Sequence, residues 1–135
     1  MNPAEELAVI GNIKDTITVL GRKFVMQTLD SDAEVLSSAA ATSFNEETRD
    51  RVLRVEKLAR AISTIDGVPF SVSEEEKAQG LSEIQKARRL LYKWQPTVIN
   101  RVYEELLKLE KRREQAVSEL EKNAQTPITS TGAGK

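Results

Sequence analysis

The chain has 135 residues, of which 39% are hydrophobic and 30% charged, and its formal net charge is −1. This length and usage are typical of one soluble, helix-rich domain with its own core. A net charge near zero gives no overall attraction to nucleic acid or to anionic membranes. Because the chain has no cysteine and no histidine, disulfides, thiolate chemistry and the commonest general base are excluded.

The N-terminal segment MNPAEELAVIGNIK has no basic stretch followed by a long apolar run, so it lacks the form of a secretory signal. No apolar run approaches the roughly 18 residues that a membrane-spanning helix needs. Pro3 is expected to open a short helix from Ala4 to Val9. A cytosolic location is the default expectation.

Residues 15–29, DTITVLGRKFVMQTL, carry the only strand signal and predict a β-hairpin. Thr16, Ile17 and Val19 are β-branched, and Gly21 fits the first central position of a tight turn. A lone hairpin is marginal in water, so one of its faces must pack on the helices or on another chain. The pattern leaves open whether the hairpin edge is covered or pairs with a second chain.

Two helices are predicted next, over residues 31–44 and 45–66. Ser31 and Glu34 form a capping box for the first helix, and Asn45 is a favourable N-cap for the second. Helical spacing places a core stripe on the second helix, made of Val52, Val55, Leu58, Ile62 and Ile65. Its charged residues, Glu56 among them, are expected on the opposite, solvated face, where basic and acidic residues alternate.

The segment 58–70, LARAISTIDGVPF, is predicted to end this helix and turn the chain sharply. Gly67 can take the left-handed conformation of a helix C-terminus, and Pro69 prevents the helix from continuing. Phe70 then either packs back on the helix as part of the cap or stands exposed at the corner. In the second interpretation, Asp66 and Phe70 are offered to a partner protein.

Further helices are predicted over residues 81–94 and 96–123, with Pro96 kinking or restarting the helix between them. The sequence thus predicts a mainly α fold: a small helical domain over residues 1–124, with an N-terminal β-hairpin and a long, Pro-kinked C-terminal helix. Residues 125–135 are polar, contain proline and glycine, and are predicted to be a flexible tail.

The segment 81–94 carries the one basic patch of the chain, with Lys86, Arg88, Arg89 and Lys93 close to Tyr92 and Trp94. A basic helix face next to an aromatic side chain could bind an acidic partner. Alternatively, the patch offsets the acidic turn at residues 74–76. Both interpretations stay open.

No motif predicts catalysis, a cofactor or a metal ion. The glycines do not form a phosphate-binding loop, and no loop has alternating acidic ligands for calcium. The Asp and Glu residues are expected on solvated helix faces. The remaining class of function is protein–protein interaction, with no small-molecule substrate, nucleic acid or membrane as partner.

A helix followed by AISTIDGVPF, a polar segment and a long charged helix resembles the small tail-assembly proteins of tailed phages. More narrowly, this arrangement is similar to the baseplate hub assembly protein of T-even phages and to related tail assembly chaperones. The resemblance implies a non-enzymatic assembly role in the host cytoplasm, with the tape-measure or hub protein as partner.

The same resemblance also allows a stable structural subunit of the virion baseplate or tail, and self-association stays open. A third class, a small helical regulatory or DNA-binding domain, is disfavoured by the net charge. The candidate partner-binding residues are Asp66, Phe70, Lys86, Arg89, Lys93 and Trp94.

Overall fold

The computed structural model describes residues 2–131, with side chains described as far as residue 124. The chain order of the elements within this part is α1 (Pro3–Ala8), β1 (Lys14–Val19), β2 (Arg22–Gln27), α2 (Ser31–Ala41), α3 (Glu46–Ala61), β3 (Ile62–Ile65), β4 (Val68–Pro69), α4 (Glu74–Ala78), α5 (Glu83–Leu91) and α6 (Pro96–Thr131). The strands form one antiparallel sheet in the order β1-β2-β3-β4. The predicted mainly α fold, with an N-terminal hairpin and a long C-terminal helix, is confirmed.

The N-terminal hairpin joins β1 and β2 through Leu20 and Gly21, with Val19 paired to Arg22. Both turn residues have positive φ, 54° at Leu20 and 73° at Gly21. Gly21 is therefore the second central residue of the turn, and the prediction that it is the first was wrong. Two successive positive φ values match the right-handed twist of the two strands, as in a type I′ turn.

The prediction of one helix over residues 45–66 was wrong at its C-terminal end. The helix stops at Ala61, and Ile62–Ile65 is strand β3, which pairs with β2 and with β4. The segment ISTI contains three β-branched residues, which fit the pleated, half-buried surface of a sheet better than a helix. Residues 15–29 are consequently not the only strand region.

Asp66 and Gly67 form the turn of this second hairpin rather than a helix cap. Their φ angles are 51° and 81°, so an Asp-Gly pair occupies a turn that needs two left-handed residues. The same two residues that can end a helix thus serve here to reverse a strand.

The core lies where α3, the start of α6 and the inner face of the sheet meet. Met26 from β2, Leu58 from α3, Leu91 from α5 and Leu106 from α6 are almost completely buried. Side chains from four elements that are far apart in sequence thus close one core, which fixes the position of α5 and α6 on α3.

Several predicted helix ends also differ from the structure. Helix α2 is capped by Asp30, whose side chain accepts from the Ala33 amide, and not by a Ser31–Glu34 capping box. This helix ends at Ala41, before the predicted boundary at residue 44. Asn45 caps α3 as predicted.

The C-terminal part differs in a similar way. Helix α5 covers Glu83–Leu91 within the predicted 81–94, and Pro96 is the first residue of a separate helix, α6. A kink within one continuous helix is therefore not confirmed. Helix α6 continues to Thr131, past the predicted end at residue 123. The predicted tail 125–135 reaches into residues 132–135, which lie outside the described residues.

Candidate protein-binding groove

Asp66, the first predicted partner residue, makes local contacts in the second hairpin. Its Oδ1 accepts from the Lys23 amide at 2.8 Å, and its Oδ2 accepts from the Arg22 guanidinium at 2.8 Å. The backbone donor first, and then the Arg22 side chain, hold the pKa of Asp66 below its usual range. The carboxylate thus joins the two hairpins, although it remains on the surface.

Phe70 is partly buried and packs against the core. It lines a shallow cavity together with Pro69, Ile84 and Ala87, so it connects the second hairpin to α5. This placement corresponds to the packing interpretation of the corner. A role of Phe70 in binding a partner stays a prediction.

The basic residues of α5 have different surroundings. The Lys86 ammonium forms an ion pair with Glu76 of α4 at 2.6 Å, as expected if the patch offsets the acidic turn. This hydrogen bond, followed by one from the Ser73 amide, lowers the pKa of Glu76 to about 2. Arg89 and Lys93 are exposed to solvent.

Trp94 is half-buried between α5 and α6. Its ring meets Phe24 edge to face, with the centroids 6.4 Å apart and an angle of 88° between the planes. The cavity lined by Trp94 shares no residue with the cavity lined by Phe70. The structure therefore does not gather the predicted partner residues into one pocket.

A different surface has the shape of a binding site. Two adjoining cavities, of about 380 and 620 Å³, run along α3 between the end of α2 and the start of α6. They share Thr48, Val52 and Tyr92. We call this surface the aromatic groove; its other lining residues are Ala40, Phe44, Arg51, Arg54, Val55, Glu56, Arg88, Leu91, Trp94, Pro96, Ile99 and Asn100.

This groove is lined by two aromatic side chains that project from the surface. Phe44 is 42% exposed and Tyr92 is 49% exposed. A single exposed apolar residue is ordinary, whereas aromatic residues that share one concave surface are typical of protein interfaces. The aromatic groove is thus the apolar surface best suited to a partner in the described part of the chain.

The floor of the groove contains a buried carboxylate, Glu56, which is only 2% exposed. Arg88 donates to it twice, at 2.5 and 2.9 Å, and Arg60 donates at 2.8 Å. Burial acts to raise the pKa of Glu56, but the hydrogen bonds from Arg88 and then Arg60 outweigh it, so the pKa is lowered. The prediction that Glu56 lies on a solvated face was wrong, because its position four residues after Val52 turns it inward.

The rim of the groove is positively charged. Arg54 donates to the Asn100 side chain at 2.7 Å and lies over the Tyr103 ring at 5.9 Å. Arg51, one turn earlier in α3, is exposed on the rim. Because the only lining carboxylate, Glu56, is already paired with two arginines, the groove favours a partner with acidic side chains.

The described residues hold no group of three or more His, Cys, Asp or Glu side chains suited to a metal ion. Over the same residues, no helix combines the length and the apolar character required to cross a membrane. Comparison of the chain with protein-family models, curated proteins and solved structures found no match. The function is therefore inferred from the groove itself and from the resemblance of the AISTIDGVPF segment.

The sequence pattern drew attention to Tyr92 and Trp94, which both line the groove, but it gave no role to Phe44 and misplaced Glu56. Phe44 follows a run of small residues and directly precedes the N-cap Asn45. An aromatic residue at a helix–helix junction was the signal that could have marked the groove. For Glu56, the signal was its position between Val52 and Ala59 at helical spacing, within the core stripe.

Proposed function

We propose that this protein is a non-enzymatic assembly factor for a phage tail or baseplate hub, acting as a chaperone for the tape-measure or hub protein. The observation that carries the proposal is the aromatic groove, with Phe44 and Tyr92 exposed above a neutralised floor. The resemblance of the AISTIDGVPF segment and the following charged helix to tail-assembly proteins supplies the biological setting. The proposed location is the host cytoplasm during assembly.

The chemistry of the groove describes the segment that it would bind. An amphipathic helix can place apolar side chains between Phe44 and Tyr92 and acidic side chains next to Arg51 and Arg54. Aromatic and arginine residues often dominate the free energy of such interfaces. A chaperone of this kind would cover the apolar face of its partner until assembly buries that face elsewhere.

A permanent subunit of the virion is the competing function. The part of α6 beyond residue 113, where every side chain described to residue 124 is exposed, supports it, since a projecting helix can insert into a larger assembly. Mass spectrometry of purified virions separates the two functions. A chaperone is absent from the mature particle, whereas a subunit is present in stoichiometric amount.

Binding itself is tested by co-expressing the chain with the tape-measure protein of its source phage and purifying the complex. Wild-type chain is expected to co-purify, and the variant Tyr92→Ala is expected to lose most of the bound partner. Leu7→Ala is the matched control, because Leu7 is 66% exposed on α1 and does not line the groove. Equal recovery with Tyr92→Ala and wild type would reject the groove as the binding site.

A further inference from the structure

The end of α6 combines exposed apolar and acidic side chains, which are the side chains that the aromatic groove is suited to bind. Residues 114–124, which we call the acidic end of α6, are all exposed. Val117 is 42% exposed and Leu120 is 49% exposed, although both continue the stripe that the start of the helix buries in the core. Val117 lies close to the backbone of Gly11, since a Cβ added at Gly11 would be 3.3 Å from its Cγ2. The stripe is therefore covered only in part, and Leu120 remains half-exposed.

The acidic end of α6 is amphipathic at helical spacing. Its apolar stripe consists of Ala116, Val117, Leu120 and Ala124. Glu114 and Glu121 flank the stripe on one side and Glu119 flanks it on the other, while Lys122 lies on the opposite face. Three glutamates against one lysine make this segment negative, in contrast to the positive rim of the groove.

We propose that the aromatic groove of one molecule binds the acidic end of α6 from a second copy of this chain. Leu120 would lie between Phe44 and Tyr92, and the flanking glutamates would face Arg51 and Arg54. The occupant is chosen on charge complementarity and on the match between a half-exposed apolar stripe and an exposed apolar groove. This inference goes beyond the proposed function and does not depend on it, and the second copy and the proposed partner would compete for the same groove.

The length of α6 allows two copies to bind each other through both grooves at once. Ile99 lines the groove near the start of α6, and Glu119 lies on the same helix about 30 Å away at 1.5 Å per residue. In an antiparallel pair of α6 helices, each acidic end reaches the groove of the other copy. Such a two-fold dimer covers both grooves, which matters because one short helix buries little of the roughly 1,200–2,000 Å² of a stable interface.

Sedimentation velocity of the full chain over a concentration series tests the proposal. A reversible monomer–dimer equilibrium is expected, and high salt should weaken it because the flanking contacts are between exposed charges. Leu120→Glu and Arg51→Glu should each weaken the dimer at least about tenfold. Val68→Glu is the matched control, since Val68 is 67% exposed on β4 and does not line the groove; it should dimerise like wild type.

A charge exchange sharpens the test. Glu121→Lys and Arg51→Glu should each dimerise poorly alone, whereas a mixture of the two variants should form a heterodimer, because one groove and one acidic end regain opposite charges. Circular dichroism melting of each variant checks that its fold is intact.

Two results would overturn the proposal: a wild-type chain that stays monomeric at every concentration, or a dimer that Leu120→Glu and Arg51→Glu leave unchanged. A monomeric chain that still binds the tape-measure protein would reject the self-association and leave the proposed function standing. A wild-type chain that dimerises, together with a monomeric Leu120→Glu variant that binds no tape-measure protein although its groove is free, would reject the proposed function and leave the self-association standing.

Discussion

The corner at Asp66–Phe70 and the aromatic groove each combine an acidic residue with an aromatic one, but they use them in opposite ways. At the corner, the carboxylate of Asp66 is exposed and the ring of Phe70 is partly buried. In the groove, the carboxylate of Glu56 is buried and the rings of Phe44 and Tyr92 are exposed. An exposed charge with a buried ring holds two elements together, whereas a neutralised buried charge beneath exposed rings leaves apolar area for a partner.

The largest expected effect is at the start of β3, the strand that leads into the corner. Ile62→Asp should unfold the domain or make it insoluble, because Ile62 is 4% exposed at the junction of α3 and β3. A buried, unpaired carboxylate costs several kcal/mol, comparable with the roughly 5–15 kcal/mol that stabilise a whole domain. Thermal melting followed by circular dichroism measures it. Val68→Asp is the control in the same hairpin, and equal melting of both variants would show that Ile62 is not part of the core.

On the groove side, Arg88→Ala should lower the free energy of unfolding by about 3 kcal/mol, since it leaves a buried carboxylate with one of its two partners. Arg60 remains as the second donor to Glu56, at 2.8 Å, so the protein should still fold. Urea denaturation measures the change. Arg89→Ala, at the exposed neighbouring position, should be close to neutral; a comparable loss there would mean that helix α5, and not the ion pair, is being weakened.

The corner also contains a left-handed backbone position that glycine adopts without strain. Gly67→Val should cost about 1–3 kcal/mol, because φ at Gly67 is +81° and a β-branched residue is strongly disfavoured there. Apart from Gly67 itself and its two chain neighbours, no atom lies within 4 Å of the Cβ that a substitution would add, so the loss reports mainly on the backbone conformation. Gly67→Asn should cost less, since asparagine tolerates this conformation. Equal stabilities by denaturant unfolding would argue against the type I′ turn.

Substitution of Phe70 in the corner and of Phe44 in the groove compares the two regions most directly. Phe70→Ala should lower stability by about 1–2 kcal/mol, as expected for a half-buried ring, with little effect on association. Phe44→Ala should change stability by less than about 1 kcal/mol, because Phe44 is 42% exposed. Chemical denaturation and sedimentation of both variants separate the two roles. The reverse result, a stable Phe70→Ala variant that fails to associate, would make the corner the binding site.

The smallest effect concerns pH. The pKa of Asp66 is lowered in the folded state from an ordinary value of 3.8, so its stabilising contribution is present above about that value and is lost as the pH falls through the folded pKa. Asp66→Asn should therefore melt slightly below wild type at neutral pH, and the difference should disappear in acid. Asp32→Asn, exposed in the first turn of α2, is the control. A difference that persists in acid would point to turn geometry rather than charge.

The helices were predictable where apolar spacing and a capping residue agreed, as at Asn45 and along Val52, Val55 and Leu58. The second hairpin was not, because Ile62 and Ile65 also continue the helical stripe, and Asp-Gly serves either a helix end or a hairpin turn. Pairing of residues 62–65 with β2 decides between a helix end and a hairpin turn, and β2 is far from these residues in sequence. Local patterns carry no direct signal for such long-range contacts.

The groove was less predictable than the fold. Trp94 was identified from its basic, aromatic surroundings, but its ring contacts Phe24 in the core. Arg88 and Glu56 are 32 residues apart, so neither sequence segment reveals the pair. A groove made from the ends of α2 and α5 and the start of α6 exists only after these ends meet on α3.

The central claim is that partners bind at the aromatic groove and not at the corner. Hydrogen–deuterium exchange of the full chain, at a concentration where it is monomeric, free and mixed with the tape-measure or hub protein proposed as its partner, tests it directly. The account predicts that binding protects residues 40–55 and 88–100 and leaves residues 66–70 unchanged. Protection confined to residues 66–70, with the groove segments unchanged, would contradict it.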